Sequence, residues 1–169
     1  MSKYFKHQEI VKKELENLLA NEKVCEMKQY IQHGTITTFE HSLSVAVISH
    51  MIAKKYNLDV SIKELLTGAM LHDFFLYDWH DGRLRTEGIH GFSHPATALK
   101  NANTYFSLTD KEQNIIQSHM FPMTITKVPK CKEAAIVCIA DKICATWETV
   151  NGFYKKVFFR KYLKKFTVS

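Results

Sequence analysis

The sequence has few of the residues that interrupt regular structure, with only six glycines and three prolines among 169 residues. This scarcity excludes a collagen-like chain and argues against a flexible linker or an all-β fold, which needs many turns. Three of the glycines, Gly82, Gly88 and Gly91, fall within residues 78–93. We interpret residues 78–93 as one long loop, and a loop of that length in a small domain is commonly functional.

Long apolar runs are also missing. No run approaches the roughly 18 apolar residues that cross a bilayer. The first residues, MSKYFKHQEI, contain no apolar core of a secretory signal. We therefore expect no transmembrane segment and a cytoplasmic location. The four cysteines fit reduced thiols in that compartment, and their spacing matches no zinc-binding knuckle.

Acidic residues are absent from the end of the chain. The net charge is +6, and because residues 1–151 are balanced, the whole surplus lies in residues 152–169. We therefore divide the chain into a domain, residues 1–151, and a basic, aromatic tail, residues 152–169. A surface that binds nucleic acid would spread its positive charge over the fold, so we expect no specific nucleic-acid recognition. The tail either keeps the protein in solution or docks on an acidic partner or a membrane surface.

The apolar residues recur at the three- and four-residue spacing of helices through most of the chain. Because no segment shows a convincing strand pattern, we predict an all-α fold, a single compact domain of about six to eight helices. Thr37 or Thr38 is a candidate N-cap for a long, mostly buried helix. Residues 22–32 are interpreted as a short helix that stops near Gly34, which leaves His33 as a surface residue.

Polar side chains interrupt two otherwise apolar segments. Asp141 lies between IVCIA and KICA, and the doublet His72-Asp73 follows LLTGAML. A carboxylate is costly to bury unless it is paired or bound to a cation. Imidazole and carboxylate groups are natural ligands of divalent metals. These residues together favour a metal centre.

Further histidines complete an ordered pattern, H…HD…H…H…D, whose members are His41, His72, Asp73, His94, His119 and Asp141. The pattern resembles the HD-domain metal-dependent phosphohydrolase superfamily, and in particular its two-metal branch. The local contexts are similar too, with TFEHSLSVA, GAMLHD, SHPATAL and IADKICA in that order along the chain. The resemblance covers about residues 38–150.

The resemblance implies cofactors and a chemistry. It implies a second metal between Asp73, His94 and His119, with Asp73 bridging it to a first metal whose ligands are His41, His72, Asp73 and Asp141. Iron or manganese is expected, and imidazole–carboxylate sites also accept other first-row ions. The implied reaction is hydrolysis of a phosphoester or phosphoanhydride, in a nucleotide or another small phosphorylated metabolite, by a hydroxide that the metals activate. Asp73 would also orient the attacking water.

Two features depart from the family pattern. The GYP signature of the cyclic-dinucleotide phosphodiesterases is absent, which disfavours cleavage of a cyclic dinucleotide. Many HD proteins follow the doublet with Ile-Gly-Lys, whose lysine contacts phosphate, whereas this chain has Phe74-Phe75-Leu76. Arginine suits bidentate phosphate contacts, and lysine can supply a charge. The candidates to replace the missing cation are Arg83, Arg85, Lys127 and Lys130.

Several assignments stay open at this point. His90 is the alternative to His94 as a ligand, and His80 or His90 could contact substrate or act as a general acid. Glu148 follows Asp141 by about two helical turns on the same face, where it could bond a ligand histidine or pair with a lysine. The alternative functions are a di-iron oxygenase of the HD type and a non-catalytic nucleotide-binding module. The sequence also leaves a homodimer open.

Overall fold

The computed structural model describes residues 3–81 and 90–151, which form seven α-helices and one small hairpin. The helices are α1 (Lys3–Ala20), α2 (Glu22–Glu26), α3 (Thr38–Lys55), α4 (Ile62–Leu71), α5 (His90–Tyr105), α6 (Asp110–Ser118) and α7 (Lys132–Asn151). The two strands are β1 (Ile31–His33) and β2 (Ile36–Thr37), which pair antiparallel after a 3-10 turn, Met27–Gln29. The prediction of a compact all-helical domain is confirmed.

The core lies where α3 and α4 pack on each other and on their neighbours. Helix α3 also packs on α7, and α4 packs on α6 and α1. The contacts are made by fully buried apolar side chains, among them Leu43, Leu66, Met70, Ile115 and Val137. Burying each such side chain contributes about 1.5–3 kcal/mol. This packing holds α3, α4, α6 and α7 in fixed relative positions, and these four helices carry most of the candidate site.

Capping residues determine where two of these helices begin. The Thr37 hydroxyl accepts a hydrogen bond from the Glu40 backbone N–H at 3.2 Å, and the Glu40 carboxylate accepts one from the Thr37 N–H at 3.0 Å. This reciprocal pair satisfies two backbone donors that a helix start leaves unpaired. Thr109 and Glu112 form the same pair at the start of α6. Of the two predicted caps for α3, Thr37 is the one used, and His41 follows in the first turns.

The prediction of a helix over residues 22–32 is wrong beyond Glu26. After the 3-10 turn the chain enters β1, and Gly34, whose φ is +56°, reverses it into β2. The left-handed backbone at this turn suits glycine, which has no Cβ to clash. Strands of two or three residues are too short to show the alternation that marks a strand in sequence. The hairpin was missed for that reason, and it carries Gln32 and His33 toward the interior.

The long loop predicted over residues 78–93 ends earlier than expected, because α5 begins at His90. Residues 82–89, which include Arg83 and Arg85, lie outside the described residues, as does the tail, residues 152–169. The division into domain and tail therefore stays a prediction. Within the part of the chain that the structure describes, no helix is both long and apolar enough to cross a bilayer.

Gly68 lets α4 approach α6 closely. A Cβ atom at residue 68 would lie 2.5 Å from Cδ1 and 2.9 Å from Cβ of Ile115, closer than real carbon atoms come. We expect Gly68→Ala to lower the free energy of unfolding by about 1–2 kcal/mol, because the cost of overpacking exceeds the gain in helix propensity. Urea unfolding measures the difference. Gly91→Ala is the control, since its Cβ would meet Met123 at an ordinary 3.5 Å, and equal losses in both variants would contradict the prediction.

Candidate metal centre

The six residues predicted as metal ligands lie together in the interior, although five separate segments supply them. His72 and His119 are the C-cap residues that directly follow α4 and α6, and Asp73 follows His72. The other three lie within helices, His41 in α3, His94 in α5 and Asp141 in α7. Each of the six is buried, with no more than 7% of its surface exposed.

Four ligand atoms form what we call the first set: Nε2 of His41, Nε2 of His72, Oδ2 of Asp73 and Oδ1 of Asp141. The His41 nitrogen lies 3.1 Å from the Asp141 oxygen and 3.7 Å from the Asp73 oxygen. The His72 nitrogen lies 3.3 Å from the Asp73 oxygen and 3.7 Å from the Asp141 oxygen. Atoms that bind one cation at about 2.0–2.2 Å lie about 3.0–3.6 Å apart. The first set has the spacing of a metal site.

Three ligand atoms form the second set: Oδ1 of Asp73, Nε2 of His94 and Nε2 of His119. The Asp73 oxygen lies 3.2 Å from the His94 nitrogen and 3.4 Å from the His119 nitrogen. The two nitrogens are 2.8 Å apart. Asp73 thus gives one carboxylate oxygen to each set.

The hydrogen bonds behind the rings orient their Nε2 atoms inward. The Nδ1 atoms of His72, His94 and His119 each lie 2.7–2.8 Å from a backbone carbonyl oxygen. Since a carbonyl only accepts, each Nδ1 carries the proton, and in the neutral ring Nε2 keeps its lone pair. His41 places its Nδ1 2.8 Å from Oε2 of Glu148, which is buried. Of the two contacts considered for Glu148, the structure shows the one with a histidine, and that histidine is the candidate ligand His41.

Several buried polar atoms at the centre lack a hydrogen-bond partner among the described residues. Nε2 of His72 and Oδ1 of Asp73 are fully buried and make no hydrogen bond. Nε2 of His94 and of His119 face each other, although both are lone-pair atoms when the rings are neutral. Orphaned acceptors are costly to bury, and a bound cation would satisfy all four. The residues present therefore fit a divalent metal.

The ionisation of the centre agrees with such a cation. Burial lowers the pKa of His72, but the negative charges of Asp73 and Asp141 beside it outweigh burial and raise the pKa to about 10. A positive charge is thus favoured between these two carboxylates. Burial, together with the charge of His72, lowers the pKa of His119 to about 3, so its ring stays neutral.

Both carboxylates of the centre are ionised. Burial raises the pKa of Asp73, but the positive charge of His72 and the neighbouring ring of His94 outweigh burial and hold the pKa well below its usual range. Burial likewise raises the pKa of Asp141, but its hydrogen bond with His41 and its contact with His72 outweigh burial and lower the pKa. Ionised carboxylates are the form that binds metals, and a metal would displace the proton that these carboxylates favour on His72.

A cavity of about 700 Å³ opens onto these ligand atoms. Asp73, Asp141 and the two histidines of the second set line its base. Its walls are mostly apolar or aromatic and include Trp79, Met120, Pro122 and Met123. A cavity of this size falls within the range of about 300–1,000 Å³ that is common for small-molecule sites.

Three residues that line the cavity, Gln32, His33 and Lys142, escaped prediction from the sequence. Gln32 donates from Nε2 to Oδ2 of Asp73 at 2.7 Å. The expectation that His33 is a surface residue is wrong, because it is half-buried and lines the cavity. Lys142 also lines the cavity, and its Nζ donates to the backbone carbonyl of His119 at 2.9 Å. Of the three, Lys142 is the one that the sequence could have indicated, because it directly follows the candidate ligand Asp141.

Two of the four cations proposed from the sequence can be placed, and neither lines the cavity. Lys127 and Lys130 are exposed in the connection between α6 and α7 and do not line the cavity, and Arg83 and Arg85 are outside the described residues. Substrate binding by these four stays a prediction. Leu76, where many HD proteins have lysine, packs against the core.

His90 lines the cavity but belongs to neither set of ligand atoms. Its Nδ1 lies 2.8 Å from the Tyr77 hydroxyl, and its ring stacks on Trp79 with a centroid distance of 4.8 Å. Its ring also stacks on His94 at 4.7 Å. His90 therefore packs against the candidate ligand His94. The contact with substrate proposed for His90 stays a prediction.

Comparison with known protein families agrees with this geometry. The family model named HD domain matches residues 38–146, which is more than half of the chain. The chain belongs to the HD-domain family. Most HD-domain proteins are metal-dependent hydrolases, which agrees with the two sets of ligand atoms. Comparisons with curated proteins and with solved structures find no match.

Two contacts of this HD domain come from outside the matched residues. Gln32, in β1, precedes the match and donates to Asp73. Glu148, near the end of α7, follows it and accepts from His41. Both hold a ligand in place, and outer contacts of this kind commonly tune metal affinity.

Proposed function

We propose that this HD domain is a phosphohydrolase that uses two divalent cations, one at each set of ligand atoms. The observation that carries the proposal is the position of Asp73, whose Oδ2 belongs to the first set and whose Oδ1 belongs to the second. A shared carboxylate is suited to two cations about 3.5–4 Å apart, the spacing of two-metal hydrolases. We propose iron or manganese, because both accept mixed imidazole and carboxylate ligands.

Two such cations, when bound, lower the pKa of a water molecule and neutralise charge on phosphoryl oxygens. The chain itself orients the reacting groups. Gln32 holds the Asp73 carboxylate in one rotation by its 2.7 Å hydrogen bond, so Asp73 can accept a hydrogen bond from the attacking water in a constant direction. The burial of the ligands keeps bulk water away, which strengthens each electrostatic contact.

Lys142 is the residue that we propose for the phosphate of the substrate. It is the only lysine or arginine among the described residues that line the cavity. Its ammonium group bonds the carbonyls of His119 and Cys138, which places the charge beside the second set. An ammonium group has three donors. Two of them bond these carbonyls, and the third, which faces the weakly accepting Cys138 sulfur at 3.3 Å, could turn to a phosphoryl oxygen. Lys142 would then replace the cation that Leu76 cannot supply.

The cavity supports a substrate larger than inorganic phosphate. Its apolar wall, with Met120, Pro122 and Met123 beside Trp79, offers contact to an organic group rather than to a second phosphate. We propose a nucleotide or a phosphorylated metabolite of similar size. The four cysteines are free thiols, which supports the cytoplasmic location proposed from the sequence.

Lys142→Met is expected to raise the KM about tenfold or more, since a hydrogen bond to a charged group is worth about 1.5–3 kcal/mol. The metal content should not change, because among the described residues Lys142 bonds backbone carbonyls and the Cys138 sulfur rather than the side chain of a candidate ligand. Steady-state kinetics and metal analysis of the same preparations measure both quantities. Lys132→Met, at an exposed position of the same helix, is the control. A loss of metal with an unchanged KM would show that Lys142 positions His119 instead.

The function is tested by metal analysis of the purified protein and a phosphate-release screen over mono- and dinucleotides and simple phosphate esters. We expect phosphate release that stops when a chelator removes the metal. The same assays without oxygen should give the same rates. Product that requires oxygen would identify an oxygenase, and nucleotide binding without turnover would identify a binding module. Either result would overturn the proposal.

A further inference from the structure

The two sets of ligand atoms differ in number and in charge. The first set has four atoms from two imidazoles and two carboxylates. The second has three atoms from two imidazoles and one carboxylate, Asp73, which it shares with the first. Each additional anionic ligand strengthens the binding of a hard or borderline divalent cation. The ligand atoms alone therefore favour the first set.

The partners behind the histidines increase this difference. His72, His94 and His119 each donate from Nδ1 to a neutral backbone carbonyl. His41 instead lies 2.8 Å from Oε2 of Glu148, and both side chains are 0% exposed. A carboxylate that accepts from an imidazole orients the ring and makes its other nitrogen a stronger ligand. Of these four rings, the one backed by a charge belongs to the first set.

Glu148 also adds a third negative charge near the first set. With Asp73 and Asp141 it makes three buried carboxylates around two imidazoles, and a buried carboxylate is stable only when positive charge compensates it. Asp73 is the carboxylate in contact with the second set. The negative charge of the centre is thus concentrated on one side.

We propose that the two metal positions are unequal, and that Glu148 is the positioning residue that makes the first set the tight one. The first set binds its divalent cation tightly, whereas the second set binds its cation weakly and exchanges it with solution. This inference rests on the proposed two-metal function. It predicts that the protein carries one cation per chain when free metal is scarce, and that the second set fills only as the metal concentration rises.

Calorimetric titration of the metal-free protein with Mn²⁺ tests the proposal. The unmodified protein should show two classes of site, one per chain in each, with dissociation constants that differ about tenfold or more. Glu148→Gln should weaken the tight class about 10–100-fold and leave the weak class unchanged. Glu133→Gln is the matched control, because Glu133 is also a buried carboxylate of α7 but bonds Ser61 and Lys111 instead of a ligand.

Variants of the candidate ligands test the inequality of the two sets independently, even if Glu148→Gln folds poorly. His94→Ala should retain the tight class alone, and His41→Gln should lose it. Two equal sites in the unmodified protein, or survival of the weak class alone in His94→Ala, would overturn the inequality. A tight class that Glu148→Gln leaves unchanged would overturn the role of Glu148. Either result leaves the proposed hydrolysis in place if phosphate is still released, whereas a protein that binds no metal would refute the proposed function itself.

Discussion

Asp73→Asn is expected to abolish turnover while leaving the helical fold in place. The substitution keeps the shape of the side chain but removes the charge that both sets of ligand atoms share. Loss of a group that holds and orients the reacting centre commonly costs about a thousandfold or more in rate. The amide is also a poor bridging ligand, so the bound metal should fall below that of the unmodified protein. Phosphate release and elemental analysis measure the two effects.

The fold should survive Asp73→Asn at some cost in stability, because the substitution removes one of the two carboxylates that compensate the charge on His72. We expect the thermal unfolding midpoint of the metal-free variant to lie below that of the metal-free parent. Asp59→Asn, an exposed position, is the control and should behave as the parent in every assay. Turnover of Asp73→Asn at the rate of the Asp59→Asn control would refute the central role of Asp73.

His94→Ala is expected to remove one of two bound metals and to lower turnover about a hundredfold or more, the usual scale for losing a catalytic group. Its Nε2 lies 3.2 Å from Asp73 and 2.8 Å from His119, and it is a member of the second set alone. The first set keeps all four of its ligand atoms. Metal per chain should therefore fall from two to one rather than to zero.

The control for His94→Ala is another buried histidine that lies away from the ligand sets. His50 is 5% exposed and follows His41 by nine positions on α3, which places it on a different face of that helix. His50→Ala should keep both metals even where it costs stability. If His94→Ala also kept two metals per chain, the assignment of the second set would be wrong.

Three of the candidate ligands could be singled out from the sequence because they are polar residues in apolar segments. Asp141 within α7 and the His72-Asp73 doublet at the end of α4 are polar residues in segments that must be buried. Their order along the chain then identified the family. The starts of the helices could be predicted for a similar reason, since the Thr37 and Thr109 caps depend on residues three positions apart.

The second layer of the centre could not be predicted in this way. Gln32 reaches Asp73 across 41 positions in sequence, from a strand too short to leave a pattern. The sequence placed Glu148 on the same helix face as Asp141, but it left open whether the carboxylate bonds a histidine or a lysine. The cation of the cavity was sought in the loop and in the connection after His119, whereas Lys142 follows a ligand directly.

The kinds of residue at the centre and the helices that carry them follow from local chemistry, because periodicity, capping and buried polarity act over a few neighbouring positions. The family resemblance implied how the six candidate ligands divide into two sets, but local chemistry does not give the distances within each set, because these join segments far apart in the chain. Those distances are set by how α3, α4, α5, α6 and α7 pack. Close packing such as that of Gly68 on Ile115 sets how near α4 lies to α6.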